Sequence, residues 1–126
     1  MVELMVVICI LGVLFAILVP NLIRARFNAY VSGCIDNEHA LQVSMESYQV
    51  DNQGYPDSLT RLSTGGYISV IPTCPSNPTS LYQSCYEISS DFKFYTISCP
   101  GVHHQQLGSV RQGYPQVTAA GTMTTQ

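Results

Sequence analysis

The chain has 126 residues, a formal net charge of −3 and only five Lys or Arg residues. This length fits one small domain with an extension. A chain so poor in basic residues has no bulk electrostatic attraction to nucleic acid, so the composition argues against that class of partner.

The N-terminal segment is almost purely apolar. Residues 4–19 contain no charged or strongly polar side chain, and Glu3 directly precedes them. A cleaved secretory signal is disfavoured, because no Lys or Arg comes before the run and no small-residue cleavage site follows it. The run approaches the length of about 20 residues that a membrane-spanning helix needs. A carboxylate at the edge of such a helix is costly unless it is paired, so Glu3 requires a partner.

The helical pattern continues beyond the apolar run. Larger apolar side chains recur every three or four residues, which is the period of an amphipathic helix. They are Phe27, Tyr30, Val31, Cys34, Leu41, Met45 and Tyr48. Polar residues fall largely between them, at Asn28, Asp36, Asn37, Glu38 and Glu46. Since the first stop signal is the turn sequence at 51–56, we predict one helix from near residue 1 to near residue 51, roughly 75 Å long.

Gly12 and Pro20 interrupt this predicted helix. Proline removes a backbone donor and crowds the preceding turn, and glycine lowers helix propensity. One interpretation is a kink of the kind that membrane helices tolerate. The other is a segment between the two residues that can unwind and extend. The residues by themselves leave both interpretations open.

A small head is predicted after the helix. A short helix is expected over 57–62, with Gly65 and Gly66 ending it. An extended segment over 67–71 and a loop over 74–78 follow, because prolines close the first and punctuate the second.

The C-terminal part predicts strands. Two strands over 81–88 and 92–99 are expected to pair as an antiparallel hairpin across the polar turn at 89–91. Residues 100–126 predict a loop with one more strand. The predicted fold class is therefore α+β, with a long N-terminal α-helix packed on a small antiparallel β-sheet head.

Five cysteines divide between the two parts of the chain. Cys9 lies in the apolar run, and the other four are Cys34, Cys74, Cys85 and Cys99. An even number of cysteines behind an apolar N-terminus favours an exported protein with up to two disulfides. A metal site or free thiols are the alternatives, although no Cys-x-x-Cys pair supports zinc. Four cysteines allow three pairings, which stay open at this point.

Motifs for catalysis or cofactor binding do not occur in the sequence. There is no Gly-x-Ser-x-Gly and no phosphate loop. His103 and His104 are adjacent, so they would face opposite sides of a strand, and His39 lies on the predicted long helix. We expect no catalytic residue, no cofactor, no metal site and no enzymatic activity.

The first 26 residues closely resemble the N-terminus of type IV pilins and of type II secretion pseudopilins. The resemblance is carried by Val2-Glu3-Leu4-Met5-Val6-Val7, by the apolar run through Pro20, and by Asn21-Leu22-Ile23-Arg24-Ala25-Arg26. In that family a leader peptidase cuts before a Phe, which is then N-methylated, and a glutamate four residues later is the assembly residue. Glu3 occupies that position, so the resemblance implies that the chain starts two residues inside the family's mature N-terminus. Gly12 and Pro20 match the family's helix-interrupting residues, which favours a segment that unwinds.

A looser resemblance to a group of bacterial pilin-like proteins covers the head. It is carried by Tyr55-Pro56, by Ile71-Pro72-Thr73-Cys74-Pro75, and by Tyr95-Thr96-Ile97-Ser98-Cys99-Pro100-Gly101. In that group the two Cys-Pro cysteines pair, which implies a Cys74–Cys99 disulfide. Cys34 and Cys85 would then be the second pair.

These resemblances imply an organisation and a function. Residues 1–26 are expected to form the membrane and filament-core segment, and residues 27–126 the head, including the amphipathic second half of the helix. The expected function is that of a major pilin in an extracellular type IV pilus-like filament. The alternatives are a pseudopilin of type II secretion and a membrane-anchored binding or DNA-uptake module. The implied assembly residues are Glu3, Leu4, Gly12, Phe15 and Pro20.

Partners and location follow from the same resemblance. The expected partners are copies of the chain itself, the inner-membrane pilus assembly machinery, and the membrane before assembly, with no specific nucleic acid. The chain is expected in the bacterial inner membrane first and then in a pilus at the cell surface.

Overall fold

The computed structural model describes residues 2–101 and 113–123 of the chain. A single helix, α1 (Val2–Asn52), occupies 51 residues, which confirms the prediction of one long helix that ends near residue 51. The helix stops where Gln53 takes a positive φ of 60°, a conformation that cannot continue a right-handed helix.

The second half of α1 carries the amphipathic face that the sequence predicts. Cys34, Leu41 and Met45 are fully buried, and Phe27 and Tyr48 are half-buried. These side chains repeat at helical spacing, so they form one stripe along the helix.

One residue of α1 departs from the expectation. Glu38 was expected on the polar face, but its side chain is fully buried. It lies four residues after Cys34 and three before Leu41, so it falls on the same stripe as they do. The position of Glu38 on the helix, and not the polarity of its side chain, therefore determines its burial.

The head adds one short helix and two antiparallel sheets to α1. The helix is α2 (Thr60–Thr64). The small sheet pairs β1 (Thr73–Cys74) with β2 (Asn77–Leu81), and a 3₁₀ turn over Tyr82–Cys85 follows. The larger sheet has the order β3 (Tyr86–Ile88), β4 (Tyr95–Ser98), β5 (Gln116–Thr118) and β6 (Gly121–Met123). The predicted α+β class and the predicted hairpin are confirmed.

Several element boundaries differ from the sequence prediction. Residues 67–71 are not a strand, because the backbone N–H groups of Tyr67 and Ile68 donate to the carbonyl oxygen of Leu62 and hold the segment against α2. Residues 74–78 contribute to the β1–β2 pair, and residues 82–85 form a 3₁₀ turn that buries Tyr82. Within 113–123 there are two strands, where one was expected over 100–126.

The head core lies between α1 and the larger sheet. Tyr95 and Ile97 alternate with half-buried neighbours along β4, so their side chains share one face of the sheet. Ile97 is opposite Val117 of β5. The rings of Tyr55 and Tyr95 meet edge to face, with centroids 4.6 Å apart. This cluster also includes Leu41, Met45, Leu59, Leu62 and Tyr82.

Candidate functional site

The apolar segment, residues 4–19, is left uncovered by the described part of its own chain. Its large hydrophobic side chains are between 45% and 70% exposed, with Leu11 the least and Leu4 the most exposed. An 18-residue window of α1 has a mean hydropathy of 3.0, and none of it is buried. The helix is therefore long and apolar enough to cross a membrane.

The five residues assigned to assembly lie within this segment or directly next to it, and all five are exposed. Glu3 is in the first turn of α1, and no described residue pairs with it. A methyl group added to Gly12 would meet nothing within 4 Å. Leu4 and Phe15 are 70% and 59% exposed. The structure contains a single chain, so the roles of these residues in assembly stay predictions.

Pro20 lies inside the continuous helix. In the single chain α1 passes through Gly12 and Pro20 as one helical element. The unwinding expected between these residues concerns the assembled form and stays a prediction.

The junction between the apolar segment and the head is marked by a basic and aromatic group. The Arg26 Nε atom donates to the Tyr30 hydroxyl at 2.7 Å, and the guanidinium carbon lies 5.5 Å from the centre of the Tyr30 ring. The Tyr30 ring meets the Phe27 ring edge to face at 6.1 Å. These residues are three or four positions apart, so one turn of helix brings them together.

Three buried thiols from distant parts of the chain meet beneath α1. Cys34 comes from α1, Cys74 from β1, and Cys99 from the residue after β4. The sulfur atoms of Cys34 and Cys99 are 2.8 Å apart, those of Cys34 and Cys74 are 3.6 Å apart, and those of Cys74 and Cys99 are 3.7 Å apart. We call these three residues the thiol cluster.

The structure forms neither of the disulfides that the sequence analysis expects. All the cysteines are free thiols. Cys74 and Cys99 are neighbours, as the resemblance implies, but the sulfur nearest to Cys99 is that of Cys34. Cys85 lies outside the cluster, with its sulfur 3.7 Å from the Ser84 hydroxyl. The reason is that the 3₁₀ turn buries Tyr82, which leaves Cys85 only half-buried.

Several contacts fix the positions of the three thiols. The Asn37 side-chain amide donates to the Thr73 carbonyl oxygen at 3.0 Å, which ties β1 to α1. The Cys99 backbone N–H donates to the Pro115 carbonyl oxygen at 3.1 Å. A methyl group at Gly33 would lie 2.9 Å from Cγ of Pro75. The missing side chain of Gly33 therefore lets the turn after Cys74 approach the helix closely.

Two of the sulfurs have hydrogen-bonding neighbours two residues further along the chain. Cys74 Sγ and the Ser76 hydroxyl are 3.1 Å apart. The Gly101 backbone N–H donates to Cys99 Sγ at 3.4 Å. Both segments have the form Cys-Pro-x, in which the proline fixes one backbone angle and directs the next residue back toward the sulfur. The hydrogen bond with Cys34 and burial raise the pKa of the Cys99 thiol.

A buried carboxyl group lies one helical turn from Cys34. Both carboxyl oxygens of Glu38 are buried without a hydrogen-bond partner, and this burial raises the pKa of Glu38 to about 8. Burial also raises the pKa of Tyr82, which lies beside Cys34 and Glu38. The Tyr82 hydroxyl is also buried, and no described group forms a hydrogen bond of standard geometry with it.

Comparison with curated proteins identifies relatives of the chain. The type II secretion system core protein G of Dickeya chrysanthemi is 36% identical over 84 residues, which cover 67% of this chain and 53% of that protein. The protein of the same name from Aeromonas hydrophila is 34% identical and covers 60% of this chain and 65% of its own length. The competence protein ComGC of Bacillus subtilis is 26% identical over 76 residues, which cover 60% of this chain and 78% of that protein. This chain is a member of the pilin and pseudopilin superfamily.

The superfamily assignment rests on these relatives together with the fold. No family model matches the chain. No solved structure matches it. The chain spans about half the length of the Dickeya relative, at 53%. The exposed apolar helix and the small antiparallel head are the two features of a pilin-like fold that the sequence predicts and the structure contains.

Sequence reasoning missed three features of the site. The sequence pattern groups Glu38 with the polar residues between the apolar positions, although its spacing from Cys34 and Leu41 gives a signal for burial. The sequence gives no signal for the role of Gly33, because only the folded chain shows that Pro75 approaches it. The meeting of three thiols depends on the path of the chain between residues 34 and 99, and the spacing of the cysteines carries no signal for it.

Proposed function

We propose that this chain is a pseudopilin, a membrane-anchored subunit whose apolar segments pack together in the core of a filament. The observation that carries this proposal is the exposure of the entire apolar segment on a helix that continues into the head core. Burial of apolar surface contributes roughly 25 cal/mol per Å². The apolar segment therefore gains free energy by entering lipid or by packing against its copies, since the described residues of the head leave it exposed.

Glu3 supplies the specificity that apolar packing lacks. A carboxylate transferred into an apolar setting is strongly disfavoured unless it is paired. In the family that the N-terminus resembles, the partner is the terminal amine of a neighbouring subunit. We infer that Glu3 makes such a pair between subunits and thereby selects one register of the packed helices.

The relatives favour a pseudopilin over a major pilin. Two of those reported above carry the name of a type II secretion core protein, and one carries the name of a competence protein. The major-pilin interpretation has no support from these names. We infer that the filament is part of a secretion-type apparatus and that its partners are copies of this chain and an inner-membrane assembly machinery.

A second candidate is a subunit of a DNA-uptake apparatus. The observation that favours it is the competence protein ComGC, 78% of whose length is covered by the match. Both candidates use the chain as a structural subunit and not as an enzyme. In both, the chain resides in the membrane first and then, after extraction, in a filament outside it.

A gene deletion separates these functions. We expect that a strain without this chain loses export of its secreted proteins, and that the intact gene restores it. Images of sheared material from an overproducing strain are expected to show filaments that contain the chain. Loss of long surface fibres with normal protein export would favour the major pilin, and loss of transformation alone would favour DNA uptake. Normal export, fibres and transformation together would contradict the proposal.

A further inference from the structure

We propose that the thiol cluster, Cys34, Cys74 and Cys99, is a binding site for a thiophilic closed-shell cation such as Zn²⁺. The site lies inside the head, away from the apolar segment, so the inference stands independently of the proposed function. The cation would join α1, β1 and the end of β4 at one point.

The number of thiols in the cluster is the first argument. A disulfide uses two sulfurs, so in a cluster of three one buried thiol is always left over. A thiolate site uses all three at once. Cys85 cannot supply the missing partner from its present place, because it lies outside the cluster on the half-buried turn.

The spacing of the sulfurs is the second argument. Zinc–sulfur bonds of about 2.3 Å in a tetrahedral arrangement place the sulfurs about 3.8 Å apart. The Cys34–Cys74 and Cys74–Cys99 separations of 3.6 Å and 3.7 Å already approach this value. Only the Cys34–Cys99 separation of 2.8 Å has to widen, by about 1 Å.

The surroundings of the sulfurs provide the third argument. Metal-bound ligands are held in place by hydrogen bonds from a second layer of groups. The Ser76 hydroxyl at 3.1 Å from Cys74 Sγ and the Gly101 N–H at 3.4 Å from Cys99 Sγ provide such contacts. Gly33 and Pro75 bring the loop of Cys74 close enough to the helix of Cys34 for one cation to reach both.

Among the described residues, no positively charged side chain pairs with the buried carboxyl group near the thiol cluster. Glu38 lies one turn along α1 from Cys34, and both of its carboxyl oxygens are buried without a partner. No cationic side chain in the described part of the chain pairs with it. Lone-pair donors therefore collect in this part of the core and hold protons while no cation is present. A metal ion would take the place of the three thiol protons, which would leave to solvent.

A disulfide between Cys34 and Cys99 is the competing state. Their separation of 2.8 Å exceeds the bonded distance of about 2.05 Å but is the shortest in the cluster. This state would expel the cation, because it removes two of the three ligands. The two states differ in metal content and in the number of titratable thiols, so one experiment distinguishes them.

The full-length chain, purified in detergent from the membrane fraction, is the material for the test. We expect about one bound zinc ion per chain by elemental analysis, and three thiols that resist alkylation until a chelator is added. Replacement of zinc by Co²⁺ is expected to produce the intense near-ultraviolet absorption of cobalt–thiolate bonds. The variants Cys34→Ser, Cys74→Ser and Cys99→Ser should each lose this absorption.

Two matched controls lie outside the cluster. Cys85→Ser and Cys9→Ser remove a thiol in the head and in the apolar segment, and both variants should keep the metal and the cobalt spectrum. An intact mass that shows a disulfide between cluster cysteines, without zinc, would overturn the proposal. So would a wild-type chain with reduced thiols that takes up neither zinc nor cobalt. Both of these results come from the wild-type chain, so they do not depend on the folding of any variant.

Discussion

The two halves of α1 are built by the same backbone but differ in where they find their packing partners. Residues 4–19 expose every large apolar side chain, whereas the second half buries Cys34, Leu41 and Met45 against the head. The helix itself continues through both halves without a break. The comparison shows that helical periodicity is not what separates the two regions. What separates them is whether the partner of the apolar face lies within the chain or outside it.

Removal of the Glu3 carboxyl group should impair assembly through the first half of α1 without affecting the head. We expect this to be the largest effect among the variants. We expect Glu3→Ala to lower the yield of assembled filaments roughly ten-fold or more, because the packed helices lose their charge pairing. The head should fold as before, since Glu3 contacts no described residue of it. Filament yield after shearing, together with circular dichroism of the chain in detergent, measures both effects.

Glu87→Gln is the matched control, because Glu87 is an exposed glutamate of β3 in the head. It should assemble at the normal yield. Normal assembly of Glu3→Ala in a strain without other pilins would remove Glu3 from the proposed role.

A pair of leucine substitutions should sharpen the contrast between the halves. Leu41 is fully buried and Leu4 is 70% exposed. We expect Leu41→Ala to lower the free energy of unfolding of the head by about 2–5 kcal/mol, because it leaves a cavity. Leu4→Ala should change it by about 0.5 kcal/mol or less and should instead weaken assembly. Chemical denaturation in detergent and filament yield measure the two effects, and equal effects of both variants on unfolding would contradict the division.

The amphipathic half of α1 also makes the free energy of unfolding depend on pH, through Glu38. Burial raises the pKa of Glu38 from 4.5 to about 8, so the folded chain keeps a proton that the unfolded chain releases. The stabilisation is therefore complete below about pH 4.5 and declines as the pH rises to about 8, by at most roughly 1.4 kcal/mol per pH unit. Burial and the neighbouring groups raise the pKa of Tyr82, so Tyr82 stays protonated in this window.

Glu38→Gln should remove this slope, because the amide has nearly the same shape and does not titrate. Denaturation curves at several pH values between 4.5 and 8 measure it. Glu87→Gln, at an exposed position, should leave the slope unchanged. A slope that survives in Glu38→Gln would assign it to another group.

The smallest expected effect comes from two glycines of α1, one in each half. Alanine raises helix propensity at both by up to about 1 kcal/mol. A methyl group at Gly12 meets no described atom within 4 Å, but at Gly33 it lies 2.9 Å from Cγ of Pro75. We expect Gly33→Ala to lower the melting temperature of the head by a few degrees and Gly12→Ala to leave it unchanged. An equal or higher melting temperature for Gly33→Ala would show that the Pro75 loop moves aside freely.

The sequence predicts the helix far better than the head. Local periodicity is enough to predict α1. Its end near residue 51 follows from the spacing of residues such as Leu41 and Tyr48 and from the turn at Gly54. The head depends on contacts between distant residues. The segment 67–71 has the composition of a strand, but hydrogen bonds to Leu62 determine its conformation instead.

The candidate site divides in the same way. The apolar segment and its glutamate are visible in the sequence, because they are contiguous and their chemistry is unusual. The thiol cluster is not, since Cys34, Cys74 and Cys99 are brought together by α1, β1 and the end of β4. Counting cysteines gave an even number and therefore favoured two disulfides, but the fold sets Cys85 apart and leaves three together.

The unbroken course of α1 from the apolar segment into the head also has a mechanical consequence. The head holds the helix through Leu41 and Met45, which are fully buried in its core. A force applied along this unbroken helix reaches the head through a stiff rod about 75 Å long and not through a flexible tether. The head then follows any rotation or axial step of its own N-terminal segment. If the segment between Gly12 and Pro20 unwinds in an assembly, only the part of α1 after Pro20 keeps this stiff connection to the head.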